Sequence, residues 1–151
     1  SACAGVIHDH LGGRPPAVDL AREKELGELL AAGAHEGLFN AAHDLSDGGL
    51  ATALAEGVLR FGVGARAWLD DLIARDGVDA ATALFSESTG RVLVAVPREE
   101  DVKFTRLCEG RGYPVLRIGV TDSEPTLEVQ GQFSLSVDEL RGAHTSALAR
   151  F

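Results

Sequence analysis

The residues most able to do chemistry lie in an eight-residue segment, His-Asp-Leu-Ser-Asp-Gly-Gly-Leu, at positions 43–50. An apolar stretch precedes this segment and helically spaced leucines follow it, which predicts a strand, a tight turn and a helix start. Such a turn offers backbone N–H groups to an anion, and Gly48 and Gly49 let a phosphate approach without interference from a Cβ atom. Asp44 and Asp47 flank the turn as candidate ligands of Mg²⁺, which prefers carboxylate and phosphate oxygens. The Ser46 hydroxyl is a candidate donor to a phosphate oxygen.

A turn without any ligand explains the same residues. Asp, Ser and Gly are the residues that turns of this kind use, with Ser46 or Asp47 as an ordinary N-cap of the following helix. The residues of this segment alone therefore leave both interpretations open.

A second polar segment runs from Phe85 to Gly90, just before an apolar strand. Glu87, Ser88 and Thr89 place a carboxylate and two hydroxyls at this strand end, and ligand contacts concentrate in loops at the ends of sheets. The alternative is a polar turn whose hydroxyls bond to their own backbone.

The elements that must position these segments are predicted from periodicity and capping. The prediction has a helix capped by Asp19, strands at 38–43 and 91–96, a helix from Leu50, and a closing helix at 136–150 with a Ser136–Glu139 capping box. The 91–96 strand is nearly all apolar, which predicts a central strand buried on both faces. The fold class is therefore α+β (mixed α/β), with one mixed sheet and helices packed on it.

Composition limits the function classes. The 151 residues include 14 basic and 23 acidic side chains, for a net charge of −9, which argues against a nucleic-acid-binding protein. No apolar run approaches the roughly 20 residues that span a bilayer. Two cysteines make no disulfide framework, which favours a cytoplasmic setting. We therefore expect neither nucleic acid nor membrane as a partner.

The chain contains no methionine and no recognisable leader, so we expect a piece of a longer protein. Residues 1–18 contain a Gly-Gly and a Pro-Pro pair and are predicted to be an irregular linker from a preceding domain. Residues 19–151 are predicted to form a single domain, since this length supports one core.

Together, the 43–50 and 85–91 segments resemble the C-terminal domain of the PurL-type phosphoribosylformylglycinamidine synthase family, in the superfamily of aminoimidazole ribonucleotide synthetase. The resemblance covers essentially the whole chain. These synthetases are built from two similar halves, and His43 and Thr89 match the second half where the first half has glutamine.

The resemblance implies an ATP-dependent ligase of purine biosynthesis, which converts formylglycinamide ribonucleotide to the amidine with glutamine-derived ammonia. It implies ATP or ADP with Mg²⁺ as cofactors of the full-length enzyme, and upstream domains and a glutaminase as partners. This fragment would carry no catalytic residue and would be inactive alone. Asp44 would be a Mg²⁺ ligand, and the nucleotide or phosphate contacts would be Ser46, Asp47, Gly48, Gly49, Glu87, Ser88 and Thr89.

Two alternatives stay open. Beside the synthetase domain, the first is a non-catalytic docking module of that enzyme, and the second is a domain of another superfamily member, similar to selenophosphate synthetase or thiamine-phosphate kinase.

Overall fold

Helices and strands alternate along most of the chain. The computed structural model describes residues 1–10 and 12–148. Its helices are α1 (Ala2–His8), α2 (Leu20–His35), α3 (Gly49–Phe61), α4 (Asp70–Asp76), α5 (Ala80–Phe85), α6 (Asp101–Gly110) and α7 (Val137–Leu148). Its strands are β1 (Ala41–Asp44), β2 (Gly64–Ala67), β3 (Val92–Ala95), β4 (Gly119–Asp122), β5 (Thr126–Val129) and β6 (Phe133–Ser136). The mixed α+β class is confirmed.

The strands of the described residues form two sheets instead of the single mixed sheet that was predicted. β1 and β3 pair antiparallel, with Ala42 opposite Val94. The second sheet has the order β4-β2-β5-β6, in which β2 runs antiparallel to β4 and parallel to β5. Sheet membership depends on long-range pairing, which the side-chain pattern of one strand does not specify.

β3 corrects the prediction of a central strand buried on both faces. Its four residues are only half-buried, and it pairs with β1 alone. Its continuous apolar sequence has another cause, because successive side chains of a strand point to opposite faces. Leu93 packs against one apolar cluster, whereas Val94 packs against another. The strand therefore serves two cores and needs apolar residues at every position.

The larger core forms around α3. Leu50, Leu54 and Val58 recur at helical spacing and are buried, as the sequence predicts. They belong to the same cluster as Leu127 and Val129 of β5, which are each only 1% exposed. This core holds α3 along its length. It therefore fixes the position of the first residue of α3, where the preceding turn ends.

The smaller core joins α2 to α6. Leu29 and Leu38 pack there with Phe104 and Cys108, all of them buried. The Phe104 and Phe39 rings are nearly perpendicular, with 6.0 Å between their centroids. This core holds the first helix of the predicted domain against the helix that follows β3.

The N-terminal stretch differs from the irregular segment that was predicted. Residues Ala2–His8 form a helix, and the Ser1 hydroxyl accepts a hydrogen bond from the N–H of Ala4 at 3.3 Å. The Gly-Gly and Pro-Pro pairs lie beyond this helix, in a stretch without regular structure. The domain boundary at residue 18 stays a prediction, and the expected end of the closing helix, at Arg150, lies outside the described residues.

Candidate functional site

A turn between β1 and α3 carries the first predicted motif. The strand, turn and helix follow in the predicted order, with β1 ending at Asp44 and α3 beginning at Gly49. Gly48 and Gly49 both have positive φ, of 77° and 65°. A Cβ at Gly49 would lie 2.6 Å from the carbonyl oxygen of Ser86, and one at Gly48 would collide with the Thr52 side chain. The turn therefore requires both glycines.

The N-cap of α3 is Gly48, and no side chain of the turn caps the helix. This contradicts the alternative in which Ser46 or Asp47 is an ordinary N-cap. The Gly49 N–H donates to the carbonyl oxygen of Ser46 at 3.1 Å. Ser46 and Asp47 are both exposed, and neither side chain caps the helix.

The second motif contacts the first through Glu87. Its Oε1 atom accepts hydrogen bonds from the backbone N–H of Gly48 at 3.0 Å and of Ala2 at 2.7 Å. These two N–H groups hold the pKa of the Glu87 carboxyl below its ordinary value, the Ala2 contribution being the larger. The carboxylate of Glu87 therefore lies where the sequence predicts that an anion binds, at the start of α3.

The remaining loop hydroxyls have different surroundings. Thr89 Oγ1 donates to the carbonyl oxygen of Ala17 at 3.0 Å, which ties the loop to the segment before α2. Ser88 is exposed, and its Oγ lies 3.4 Å from that of Ser86. Ser88 is therefore the more available of the two predicted hydroxyls.

Arg91 contacts this loop through Ser86, and the sequence analysis assigned no role to Arg91. Its Nη2 donates to the carbonyl oxygen of Ser86 at 2.6 Å and to the Ser86 hydroxyl at 2.9 Å. Burial is the main cause of the lowered pKa of the Arg91 guanidinium. Its position directly after the Ser88-Thr89-Gly90 turn was the available signal.

Asp44 is the best placed metal ligand among the predicted residues. Its side chain is 69% exposed, and the Ser46 hydroxyl is the main cause of its lowered pKa, so the carboxylate is charged near neutral pH. A hard carboxylate oxygen with a neighbouring hydroxyl fits Mg²⁺, which uses one or two carboxylates with water and phosphate. The described residues contain no group of three or more His, Cys, Asp or Glu that could hold a metal. One carboxylate with a hydroxyl beside it supplies only part of the oxygen ligands that Mg²⁺ requires.

A second feature that sequence reasoning missed is the pairing of His43 with Glu56. His43 Nε2 lies 2.7 Å from Glu56 Oε2, and its Nδ1 lies 2.6 Å from the backbone oxygen of Asp44. Both ring nitrogens face acceptors, so the pKa of His43 is raised, chiefly by the Asp44 carbonyl. The spacing of 13 residues between His43 and Glu56 matches no local motif, so only packing brings them together.

The candidate site is thus a group of solvent-exposed oxygen atoms on and beside the turn. The second motif contacts this turn through Glu87. Asp44 and Ser46 face outward, whereas Glu87 and Thr89 bond to the backbone of other segments. Such an arrangement can contribute a carboxylate and a hydroxyl to a magnesium–phosphate group that other elements complete.

Comparison with known proteins decides the family. Residues 1–132 match the family described as AIR synthase related protein, C-terminal domain. The chain belongs to this family. The chain is 64% identical, over 153 aligned residues, to the phosphoribosylformylglycinamidine synthase subunit PurL of Leifsonia xyli. The alignment covers 99% of this chain and 20% of that protein. The chain is 54% identical over 148 aligned residues to the same subunit of Streptomyces coelicolor, covering 98% of this chain and 19% of that protein.

Solved structures show the same fold. The AIR synthase related domain superposes on Thermotoga maritima PurL complexed with FGAR with a TM-score of 0.75 at 22% identity, over 92% of this chain and 25% of that one. It superposes on T. maritima PurL complexed with ATP with a TM-score of 0.67 at 23% identity, over 78% of this chain and 21% of that one. The chain spans about a fifth of the length of the curated relatives it matches.

No helix among the described residues has the length and apolarity needed to cross a membrane.

Proposed function

We propose that this chain is the C-terminal domain, from the second half, of a PurL-type phosphoribosylformylglycinamidine synthase. That enzyme converts formylglycinamide ribonucleotide to formylglycinamidine ribonucleotide with ATP and glutamine-derived ammonia, in purine biosynthesis. The observation that carries the proposal is the 64% identity to a PurL subunit along 99% of the chain. The packing of the Gly48–Gly49 turn against the Ser86–Ser88 loop supports it, because both motifs of the resemblance form one surface.

Within that enzyme, Asp44 is a ligand of Mg²⁺ and Ser46 is a contact of ATP or ADP. Asp47 and Ser88 are exposed, and we assign them to the mouth of the same site, with Gly48, Gly49 and Thr89 shaping it. When bound, Mg²⁺ neutralises the charge of the nucleotide phosphates. The chain itself supplies an ionised carboxylate at Asp44 and the Ser46 hydroxyl beside it.

The domain supplies one wall of a shared cleft and is inactive alone. One carboxylate, one hydroxyl and a few N–H groups do not offset the several kcal/mol lost when a nucleotide is immobilised. The upstream domains of the same enzyme complete the cleft, and a glutaminase supplies ammonia. A T. maritima structure named PurLQS matches this fold with a TM-score of 0.70. Its name supports the proposal that this enzyme has more than one subunit. We place this enzyme in the cytoplasm.

Calorimetric titration with MgATP tests the claim about isolation. We expect no micromolar binding and no turnover by the 151-residue chain, and binding by the full-length subunit that contains it. Micromolar binding or turnover by the chain alone would overturn the shared cleft.

One observation favours a second candidate function, a non-catalytic docking module. The Gly48 N–H already bonds to Glu87, so the turn is satisfied by the protein itself. Asp44→Asn and Ser46→Ala in the full-length subunit separate the two, with Asp138→Asn on α7 as a matched control. A ligand site predicts loss of bound nucleotide in the first two variants only. If nucleotide content, stability and turnover are unchanged in all three variants, the ligand site is rejected and the docking module is retained.

A further inference from the structure

The two motif segments are joined by one side chain that both of them need. The Glu87 side chain is 23% exposed, and its Oε1 lies between the backbone N–H of Gly48, at 3.0 Å, and that of Ala2, at 2.7 Å. A carboxylate that accepts two N–H bonds inside its own fold has less capacity for a ligand. Glu87 therefore differs from Asp44, whose carboxylate faces solvent.

The turn has a second anchor at its other end. The N–H of the buried Leu45 donates to the carbonyl oxygen of Arg91 at 3.3 Å. The exposed Ser46 and Asp47 thus lie between two hydrogen bonds, both of which lead to the segment 87–91. Asp44 directly precedes Leu45. The loop therefore holds both ends of the turn that carries Ser46 and Asp47, and β3 holds Asp44, which lies opposite Val92.

The loop is itself held in place, so it can act as a support. The Arg91 guanidinium bonds to Ser86, which directly precedes Glu87, through the carbonyl oxygen at 2.6 Å. The backbone of the loop also touches the turn, since a Cβ at Gly49 would lie 2.6 Å from the Ser86 carbonyl oxygen. With both backbones fixed at this separation, a side chain of the length of glutamate spans the gap to Gly48.

We propose that Glu87 is a positioning residue, which holds the Gly48 turn so that Asp44 and Ser46 present their oxygens to a magnesium nucleotide. The inference rests on the proposed function of the Asp44–Ser46 pair. It assigns to Glu87 an indirect role in place of the direct nucleotide contact that the family resemblance implies.

Two variants of the full-length subunit separate the effect of the length of the Glu87 side chain from the effect of its charge. Glu87→Gln keeps the length and an oxygen that accepts N–H bonds, but it removes the charge. Glu87→Asp keeps the charge, but it is one methylene shorter and does not reach both donors. A positioning role predicts that Gln retains function and Asp loses it, whereas a direct contact that needs the Glu87 carboxylate, to the nucleotide or to its Mg²⁺, predicts a loss in Gln.

The measurement is the amount of ADP that each variant retains at a series of Mg²⁺ concentrations. The ADP that Asp44→Asn still retains is subtracted, so that only binding that depends on Asp44 is compared. We expect Glu87→Asp to raise the half-saturating Mg²⁺ concentration about tenfold, because the shorter side chain loses its hydrogen bond to the turn. Glu87→Gln stays within about twofold of the parent. Glu139→Gln is the matched control, since Glu139 also accepts a backbone N–H at a helix start, from Ser136.

A double-mutant cycle tests whether Glu87 acts through Asp44. If it does, Glu87→Asp combined with Asp44→Asn retains no less ADP than Asp44→Asn alone, because coupled residues are not additive. Additive losses overturn the inference, as does a loss in Glu87→Gln equal to that in Glu87→Asp. A lowered melting temperature in Glu87→Asp with unchanged Mg²⁺ dependence also overturns it, since Glu87 would then be structural only.

The failure of the inference is distinguishable from the failure of the proposed function. If Asp44→Asn and Ser46→Ala leave ADP retention unchanged, the nucleotide site itself is wrong and the positioning role falls with it. If those two variants lose ADP and Glu87→Asp does not, the site stands and only the positioning role is overturned.

Discussion

The His43 imidazole and the Glu56 carboxylate lie 2.7 Å apart, linking β1 to α3. His43 Nδ1 faces the carbonyl oxygen of Asp44 at the same time, so both ring nitrogens have an acceptor. The Asp44 carbonyl and the Glu56 carboxylate therefore raise the pKa of His43 at the edge of the candidate site, next to the Asp44 carboxylate.

This pairing predicts a pH dependence of stability. The folded-state pKa of His43 lies above its ordinary value of 6.5, so its contribution is fully present below that value. The contribution is lost as the pH rises through the folded-state pKa. We expect Glu56→Gln to lower the His43 pKa in an NMR titration of the ring, and to flatten the pH dependence of unfolding above 6.5. Glu109→Gln on α6 is the control, and an unchanged His43 pKa in Glu56→Gln would contradict the pairing.

Gly49→Ala is expected to destabilise the fold by about 2 to 4 kcal/mol, because it adds both a positive-φ penalty and a clash. The added Cβ would lie 2.6 Å from the Ser86 carbonyl oxygen and 2.8 Å from that of Leu84. Gly57 is the matched control in the same helix, since a Cβ there meets nothing within 4 Å. Gly57→Ala should be neutral or stabilise by about 0.5–1 kcal/mol. Urea unfolding of both variants measures the difference, and equal stabilities would refute the close packing of the two motifs.

Arg91→Lys is expected to loosen the loop at positions 86–90, because an ammonium does not replace the geometry of the guanidinium. Two hydrogen bonds to Ser86 are disturbed, which predicts a loss of about 1 to 2 kcal/mol. Amide hydrogen exchange of the loop reports the change locally. The exposed Arg106→Lys on α6 serves as control, and unaltered exchange at 86–90 in Arg91→Lys would argue against this support.

Asp19→Ala is expected to cost about 1 kcal/mol, because it removes the N-cap of α2. The Asp19 side chain accepts hydrogen bonds from the N–H groups of Ala21, at 3.0 Å, and Arg22, at 3.2 Å. Asp19→Ser keeps an N-capping oxygen and should retain most of the stability. Thermal unfolding distinguishes the two substitutions, and an equal loss in both would show that capping is not the cause.

Local features of the fold were predictable from the sequence. Asp19 begins α2, and Ser136 and Glu139 form the predicted capping box, with Glu139 accepting from the Ser136 N–H at 2.8 Å. The apolar spacing from Leu50 to Val58 identified α3 and its buried face. Each of these depends on contacts within one or two helical turns, so the neighbouring residues contain the information.

The site was predictable in part. The strand, turn and helix around Gly48 and Gly49 follow from glycine chemistry and apolar patterning. The partner of the Gly48 N–H was not predictable, because Glu87 lies 39 positions away along the chain. Likewise, nothing in the sequence pattern places Glu56 against His43, from which it is separated by 13 positions.

The sequence by itself determined the mixed α+β class, the starts of α2 and α7 and the two polar segments, since hydrogen bonds and periodicity within a segment decide these. The tertiary structure alone decided that the strands form two sheets, that β3 faces two cores, and that a carboxylate occupies the start of α3. Those outcomes depend on which distant backbones pair and pack. That choice minimises the free energy of the whole fold and leaves no pattern in any single segment.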